Sequence, residues 1–124
     1  MSSDFGIDSI PTAQLTPDTA HIFLVNNPEL RFPLNQLRTV IGRNDPPTII
    51  VDLDLTTYDL NNPPSISRRH AEIQWVNGKL QIVDLDSTNG TFVDGKKLSP
   101  KTPVTIQVGS RIKLGNLELE AIAL

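Results

Sequence analysis

The 124-residue sequence predicts an all-β fold, a sandwich or barrel, and three observations carry that expectation. From Ala20 onward, apolar runs of about five residues alternate with turn residues, the rhythm of short strands in a layered or closed sheet. Three pairs, Asn77-Gly78, Asn89-Gly90 and Asp94-Gly95, offer the positive φ that tight strand reversals need. Strict two-residue alternation runs through His70–Val76, where Ala71, Ile73 and Trp75 occupy one face and His70, Glu72 and Gln74 the other. Helices have almost no room.

In chain order, Met1 to about Asp18 is rich in Ser, Thr, Pro and Asp and has no periodicity, so residues 1–19 read as a flexible lead-in or linker. Candidate strands then follow at His21–Val25, Thr39–Ile41, Thr48–Leu53, His70–Val76, Leu80–Leu85, Gly90–Val93, Val104–Val108, Arg111–Leu114 and Leu117–Ile122. Leu80, Ile82 and Asp84 answer the alternation of His70–Val76, and the last strand repeats it with Glu118 and Glu120 outward. Between Arg43 and Ser67 lie four prolines (Pro46, Pro47, Pro63, Pro64) and four aspartates (Asp45, Asp52, Asp54, Asp59). The proline pairs imply stiff loops around the strand expected at Ile49–Leu53. Loops on a rigid sandwich are where binding usually sits.

Composition narrows the function. Eleven basic against fourteen acidic side chains give a net charge of −3, unlike the strong positive field of a general nucleic-acid or anionic-membrane binder. Any anion must be held locally. There is no cysteine, hence no disulfide, thiolate or zinc cage, and two histidines do not complete a tetrahedral metal site. No apolar run reaches the roughly 18–20 residues of a membrane span, and MSSDFGIDSI has no basic stretch ahead of an apolar core, so a cytoplasmic location is expected.

Several motifs invite chemistry and fail on context. Gly90–Lys97 satisfies GxxxxGK, yet Lys97 stands where a phosphate loop needs Ser or Thr, and a hairpin fits better than a helix start. Ser67, His70, Asp84 and Ser87 supply triad residue types without a nucleophile elbow. His70-Ala71-Glu72 and Asp52-Leu53-Asp54 lack calcium-loop spacing and enough ligands. No enzymatic activity, cofactor or metal is expected.

What remains is a set of anion-friendly clusters at strand ends, in a fixed order: Ile41-Gly42-Arg43, then Ser67-Arg68-Arg69-His70, then Asp84-Leu85-x-Ser87-Thr88-Asn89-Gly90-Thr91, then Asp94-Gly95. Together with the later Gly109-x-x-Ile112-x-Leu114-Gly115, this set resembles the forkhead-associated (FHA) domain over residues 20–124. The resemblance implies a two-sheet β-sandwich of about eleven short strands whose loops at one end bind a phosphothreonine peptide. Carried over by position, Arg43, Ser67, Arg68 and Thr88 would contact the phosphate, and Asn89 the peptide backbone. Gly42, His70 and Gly90 would shape the site, the histidine as a neutral ring bonded to loop backbone.

These residue types suit the task. Phosphothreonine carries about −1.5 to −2 charges and three acceptor oxygens, so its reader must offer donors without acceptors. Arginine's fork pairs bidentately, and serine and threonine hydroxyls donate at small desolvation cost. Asp45 and Asp59 would favour basic ligand residues wherever they face the site. The expected partner is a phosphothreonine protein made by an upstream Ser/Thr kinase, with no nucleic acid and no membrane insertion. Phosphate-independent scaffolding on the same fold is the alternative. Thr12, Thr16 and Thr19 precede the first strand, and Thr16-Pro17 resembles a proline-directed phosphorylation site.

Overall fold

Alternation gives each long strand one apolar face, and the computed structural model, which describes residues 14–124, stacks two such faces against each other. The strands are β1 (Ala20–Leu24), β2 (Asn27–Pro33), β3 (Arg38–Gly42), β4 (Leu53–Asp54), β5 (Arg69–Val76), β6 (Lys79–Asp84), β7 (Thr91–Val93), β8 (Lys96–Lys97), β9 (Val104–Thr105), β10 (Arg111–Leu114) and β11 (Leu117–Ala123). Six form one sheet in the order β2-β1-β11-β10-β7-β8, and five form the other in the order β4-β3-β5-β6-β9. Pairing is antiparallel except β3–β4, where Ile41 faces Leu53 and Gly42 faces Asp54. The expected all-β, two-sheet sandwich of eleven strands is the observed architecture.

The core is the sum of the inner faces. Ile22, Leu119, Ile112 and Leu114 from the six-stranded sheet meet Ile41, Ile73, Leu80 and Ile82 from the five-stranded one, each at most 2% exposed. Burying each such side chain stabilises the fold by about 1.5–3 kcal/mol. Outward positions are polar: Glu120 accepts from Arg111 Nε at 2.7 Å across the β10–β11 pair. Trp75, half-buried at the end of the β5 alternation, donates Nε1–H to the Leu34 carbonyl at 2.8 Å. Phe92 lies on the outer face, with Lys113 Nζ 5.6 Å from its ring centre.

Two of the three Gly-containing pairs make the tight hairpins expected of them. Asn77 (φ 51°) and Gly78 (φ 77°) join β5 to β6, and Asp94 (φ 50°) and Gly95 (φ 84°) join β7 to β8. The second hairpin contains the GxxxxGK stretch, with Phe92 opposite Lys97. Asn89-Gly90 is different. It closes the segment between β6 and β7, which belong to different sheets, so this pair ends a crossover instead of a hairpin.

Other departures from expectation have physical causes. The strand expected at Thr48–Leu53 reduces to an isolated Asp45–Ile49 bridge and the two residues of β4. There Asp52 Oδ2 takes the Val40 N–H at 2.8 Å, so a side chain occupies the place of a ladder carbonyl, and Ile50 is 64% exposed. β2 escapes the pattern because Asn27-Pro28-Glu29-Leu30-Arg31-Phe32-Pro33 carries two prolines, which an edge strand tolerates. Thr16–Thr19 forms a hydrogen-bonded turn, Thr19 and Ala20 both donating to the Thr16 carbonyl, and Leu15 packs on the core. Among the described residues, no helix is long and apolar enough to cross a membrane.

Ile82→Ala should cost about 2–5 kcal/mol in chemical denaturation, because a fully buried side chain leaves a cavity. Ile50→Ala should change stability by no more than about 0.5 kcal/mol. Equal losses at the two positions would contradict the burial described.

Candidate functional site

One end of the sandwich gathers four connections: the β3–β4 loop, the β4–β5 loop, the β6–β7 crossover and the β10–β11 turn. The order of the sheets brings them together, since β3 and β5 are neighbours and β7, β10 and β11 cover the facing layer. Gly42 closes β3 against the next loop. A Cβ there would fall onto the Arg68 carbonyl, so only glycine lets the chains pass this closely. The adjacent Arg43 N–H then donates to that same carbonyl at 3.0 Å.

His70 fastens the loops from beneath. It is fully buried; Nδ1 accepts the Ser67 N–H at 3.0 Å, and Nε2 contacts the Gly90 carbonyl at 2.8 Å. Since a carbonyl only accepts and an amide N–H only donates, the ring is the neutral tautomer protonated on Nε2. Its own carbonyl accepts from Leu85 N–H, and the Gly90 carbonyl also accepts from Gly115 N–H. One imidazole thus ties the serine loop to the crossover, and the crossover to the β10–β11 turn.

Above this base lies an open pocket of about 400 Å³ lined by Arg43, Ile49, Ser67, Arg68, Arg69, Asp86 and Thr88. The four residues expected to meet a phosphate share it. Arg43 Nε donates to the Ile66 carbonyl at 3.0 Å, which fixes the guanidinium and leaves its two terminal amino groups to bond a ligand. Ser67 Oγ accepts the Thr88 N–H at 3.0 Å, so its own hydroxyl hydrogen remains to donate. Arg68 bonds Asp45 Oδ2 at 3.0 Å at the pocket's rim.

Asn89 is exposed beside the pocket, and one of its amide hydrogens goes to the Ser65 carbonyl at 3.0 Å. Its Oδ1 and second N–H point to what one peptide group offers, an N–H and a C=O. Gly90 adopts φ 90° at the foot of this loop. Asp84, buried beneath it, accepts from Ser87 N–H, Ser87 Oγ and Thr91 Oγ1. Burial alone would raise its pKa, but the hydrogen bonds from Ser87 and Thr91 outweigh it and hold the carboxyl below its ordinary value.

Other residues at this end are placed by their own bonding. Asp59 does not face the site: it turns inward, where its carboxylate accepts from Ile66 N–H, Ser65 Oγ and Asn61 and organises the β4–β5 loop. Ser87 donates its hydroxyl to Asp84 at 2.6 Å, and both nitrogens of His70 bond backbone, so no serine–histidine pair forms here. Arg69 and Ile49 line the pocket without having been singled out for it. Arg69 stood inside the quoted Ser67–His70 cluster; Ile49 sat in the proline-rich loop, where periodicity says nothing. Thr16 and Thr19 lie at the other end, since Thr19 accepts from Leu124 N–H while β1 and β11 run antiparallel away from the β10–β11 turn. Thr12 lies outside the described residues. Among those residues no group of three or more His, Asp or Glu side chains is placed to hold a metal.

The architecture, two sheets with a cation-lined pocket among the loops at one end, defines a β-sandwich binding module. Comparison makes this specific: a model of the FHA domain matches residues 39–115, and the chain belongs to the FHA domain family. It is 34% identical over 97 residues to the oxoglutarate dehydrogenase inhibitor of Corynebacterium glutamicum, an alignment covering 78% of this chain and 59% of that one. It is 34% identical over 89 residues to the glycogen accumulation regulator GarA of Mycolicibacterium smegmatis, covering 72% and 48%. The chain thus spans about half of these relatives' length. Among solved structures, an FHA domain studied for phosphothreonine-dependent interactions superimposes with a TM-score of 0.67 at 25% identity, over 84% of this chain and 95% of that one. The FhaA FHA domain complexed with the intracellular domain of Rv3910 gives 0.66 at 25%, over 83% and 99%.

His70 also sets a pH dependence. Burial pushes its pKa below the ordinary 6.5, opposed by the bond to Gly90 and by the charges of Asp84 and Asp59. Between the folded value and 6.5 the unfolded chain binds the proton more readily, so stability falls as pH drops below about 6.5 and levels off under the folded value. Asp54, Asp59 and Asp84 are held below 3.8, so their contribution is lost only in more acidic solution. Denaturation between pH 7.5 and 5 should therefore show a loss for the native sequence that His70→Gln lacks. Parallel profiles would show that His70 is not the buried neutral group described.

Proposed function

We propose that residues 20–124 form a phosphothreonine-peptide binding module, with the phosphate held by Arg43, Ser67, Arg68 and Thr88 and the ligand backbone by Asn89. One observation carries this reading: side chains from residues 43, 67–68 and 88 line a single pocket. In a chain of net charge −3, three arginines line this one pocket, with Asp86 beside them and Asp45 at the rim. Such a local concentration of guanidinium groups suits a phosphate, which they can pair bidentately.

The recognition follows from the geometry. With Nε already bonded to Ile66, Arg43 presents its two terminal amino groups as a fixed fork that two phosphate oxygens fit, so little side-chain freedom is lost on binding. Ser67 and Thr88 hydroxyls supply neutral donors for the remaining oxygen. Asn89, braced on Ser65, bonds an extended backbone whatever its side chains. The names of the relatives, an enzyme inhibitor and a metabolic regulator, support regulation through protein binding without catalysis by this chain. The solved neighbours in phosphothreonine-dependent interactions support a ligand generated by a Ser/Thr kinase.

An array of phosphothreonine peptides should yield ligands that lose at least about tenfold in affinity on dephosphorylation, since one charge-assisted bond contributes about 1.5–3 kcal/mol. Arg43→Ala should lose about as much. Arg43→Lys should also weaken binding despite keeping the charge, because an ammonium cannot hold Ile66 and pair bidentately at once. Equal capture by native protein and Arg43→Ala would end this reading.

A further inference from the structure

Of the aspartates around this end, four are committed to the protein's own backbone and hydroxyls. Asp52 accepts from Val40 N–H, Asp54 from Asn44 and Thr56, Asp59 from Ile66 and Ser65, and Asp84 from Ser87 and Thr91. The other two face the cations: Asp86 lines the pocket, and Asp45 bonds Arg68 at its rim. The loop bearing Asp45 is firmly set. Asp45 and Ile49 exchange both backbone hydrogen bonds, at 2.9 and 3.0 Å. Asn44 Oδ1 holds Val51 N–H at 2.8 Å, and Asn44 N–H is held by Asp54. The Asp45 carboxylate is therefore presented to Arg68 by a braced loop whose Ile49 forms part of the same pocket wall.

We propose that Asp45 is a specificity residue that selects phosphothreonine ligands with an arginine or lysine within two residues of the phosphothreonine, through an exchange of ion-pair partners. This rests on the phosphothreonine reading of the pocket. Arg68 and Asp45 are 54% and 51% exposed, and a pair so solvated is weak and easily exchanged. An arriving phosphate dianion outcompetes a single carboxylate for Arg68. Asp45 is then left without its cation beside a dianion, a repulsive arrangement that a ligand cation relieves. A ligand without one keeps the repulsion. The Asp45–Arg68 contact thus blocks the pocket weakly against anions in general and is released most favourably by a ligand that brings both charges.

The test measures one phosphothreonine peptide, chosen from the array, in two forms: with arginine placed in turn at each of the two positions on either side, and with alanine there. Native protein should bind the best arginine form about two- to fivefold more tightly than the alanine form. In Asp45→Asn, which keeps the backbone bonds to Ile49, the alanine form should gain about two- to fivefold and the arginine preference should shrink to near one. Asp86→Asn, a control for overall charge, should move both forms together and leave the preference. A preference that survives Asp45→Asn, or native protein indifferent to arginine, overturns the proposal while phosphate dependence stands. If neither form depends on its phosphate or on Arg43, the reading of the pocket fails and the proposal falls with it.

Discussion

The neutral imidazole of His70 is the contact on which the functional end depends. It has no exposure, and its two nitrogens do opposite jobs, one accepting from the serine loop and the other donating to the crossover. A protonated ring would present two donors and meet the Ser67 N–H head-on, so the site is built around the uncharged form. Without this brace the serine loop would keep only the Thr88 N–H bond to Ser67 Oγ and the Asn89 bond to the Ser65 carbonyl as ties to the crossover, both near the solvent. Every distance across the pocket inherits that alignment. The net free-energy gain is only about 1 kcal/mol for each bond, but losing either would leave a buried polar group unpaired.

Electrostatics explains why the pocket stands out on an acidic protein. Most nearby carboxylates are turned to structural use: Asp59 organises the β4–β5 loop, Asp84 the crossover and Asp54 the start of the short 3-10 turn at Thr56–Tyr58. Burial alone would raise their pKa values, but hydrogen bonds from neighbouring side chains and backbone N–H groups outweigh it and hold them down. What remains facing solvent is a cluster of guanidinium groups tempered by Asp45 and Asp86. A local positive spot on a negative surface discourages indiscriminate anion binding and leaves attraction effective at short range, within about a Debye length.

Much of this was legible in the sequence, and the failures are instructive. The inward faces of β5, β6 and β11 followed from alternation because each strand has one side on the core and one in water. The convergence of Arg43, Ser67 and Thr88 was legible only as an ordered set, since each alone is an ordinary strand-end residue. β2 was missed because prolines at both ends hide an edge strand, and β8 because two lysines carry no pattern. Thr48–Leu53 looked like a strand by composition, yet Asp52 intercepts its ladder with a carboxylate. Whether Asp59 faces the site was open in the sequence, and the hydrogen-bonding demand of Asn61, Ser65 and Ile66 draws it inward. Which loop side chains point into a pocket is set by such local bonding, and periodicity does not report it.

The central claim is that a single phosphate group engages chain segments brought together from residues 43, 67 and 88. Amide and arginine side-chain NMR, recorded while a phosphothreonine peptide is titrated into the labelled protein, reads this directly. The account predicts that the largest shifts fall on Arg43 Nε and on the amides of Ser67, Arg68, Thr88 and Asn89, and that the unphosphorylated peptide leaves them still. Shifts confined elsewhere, such as the groove formed by Leu24, Tyr58 and Leu60, would contradict it.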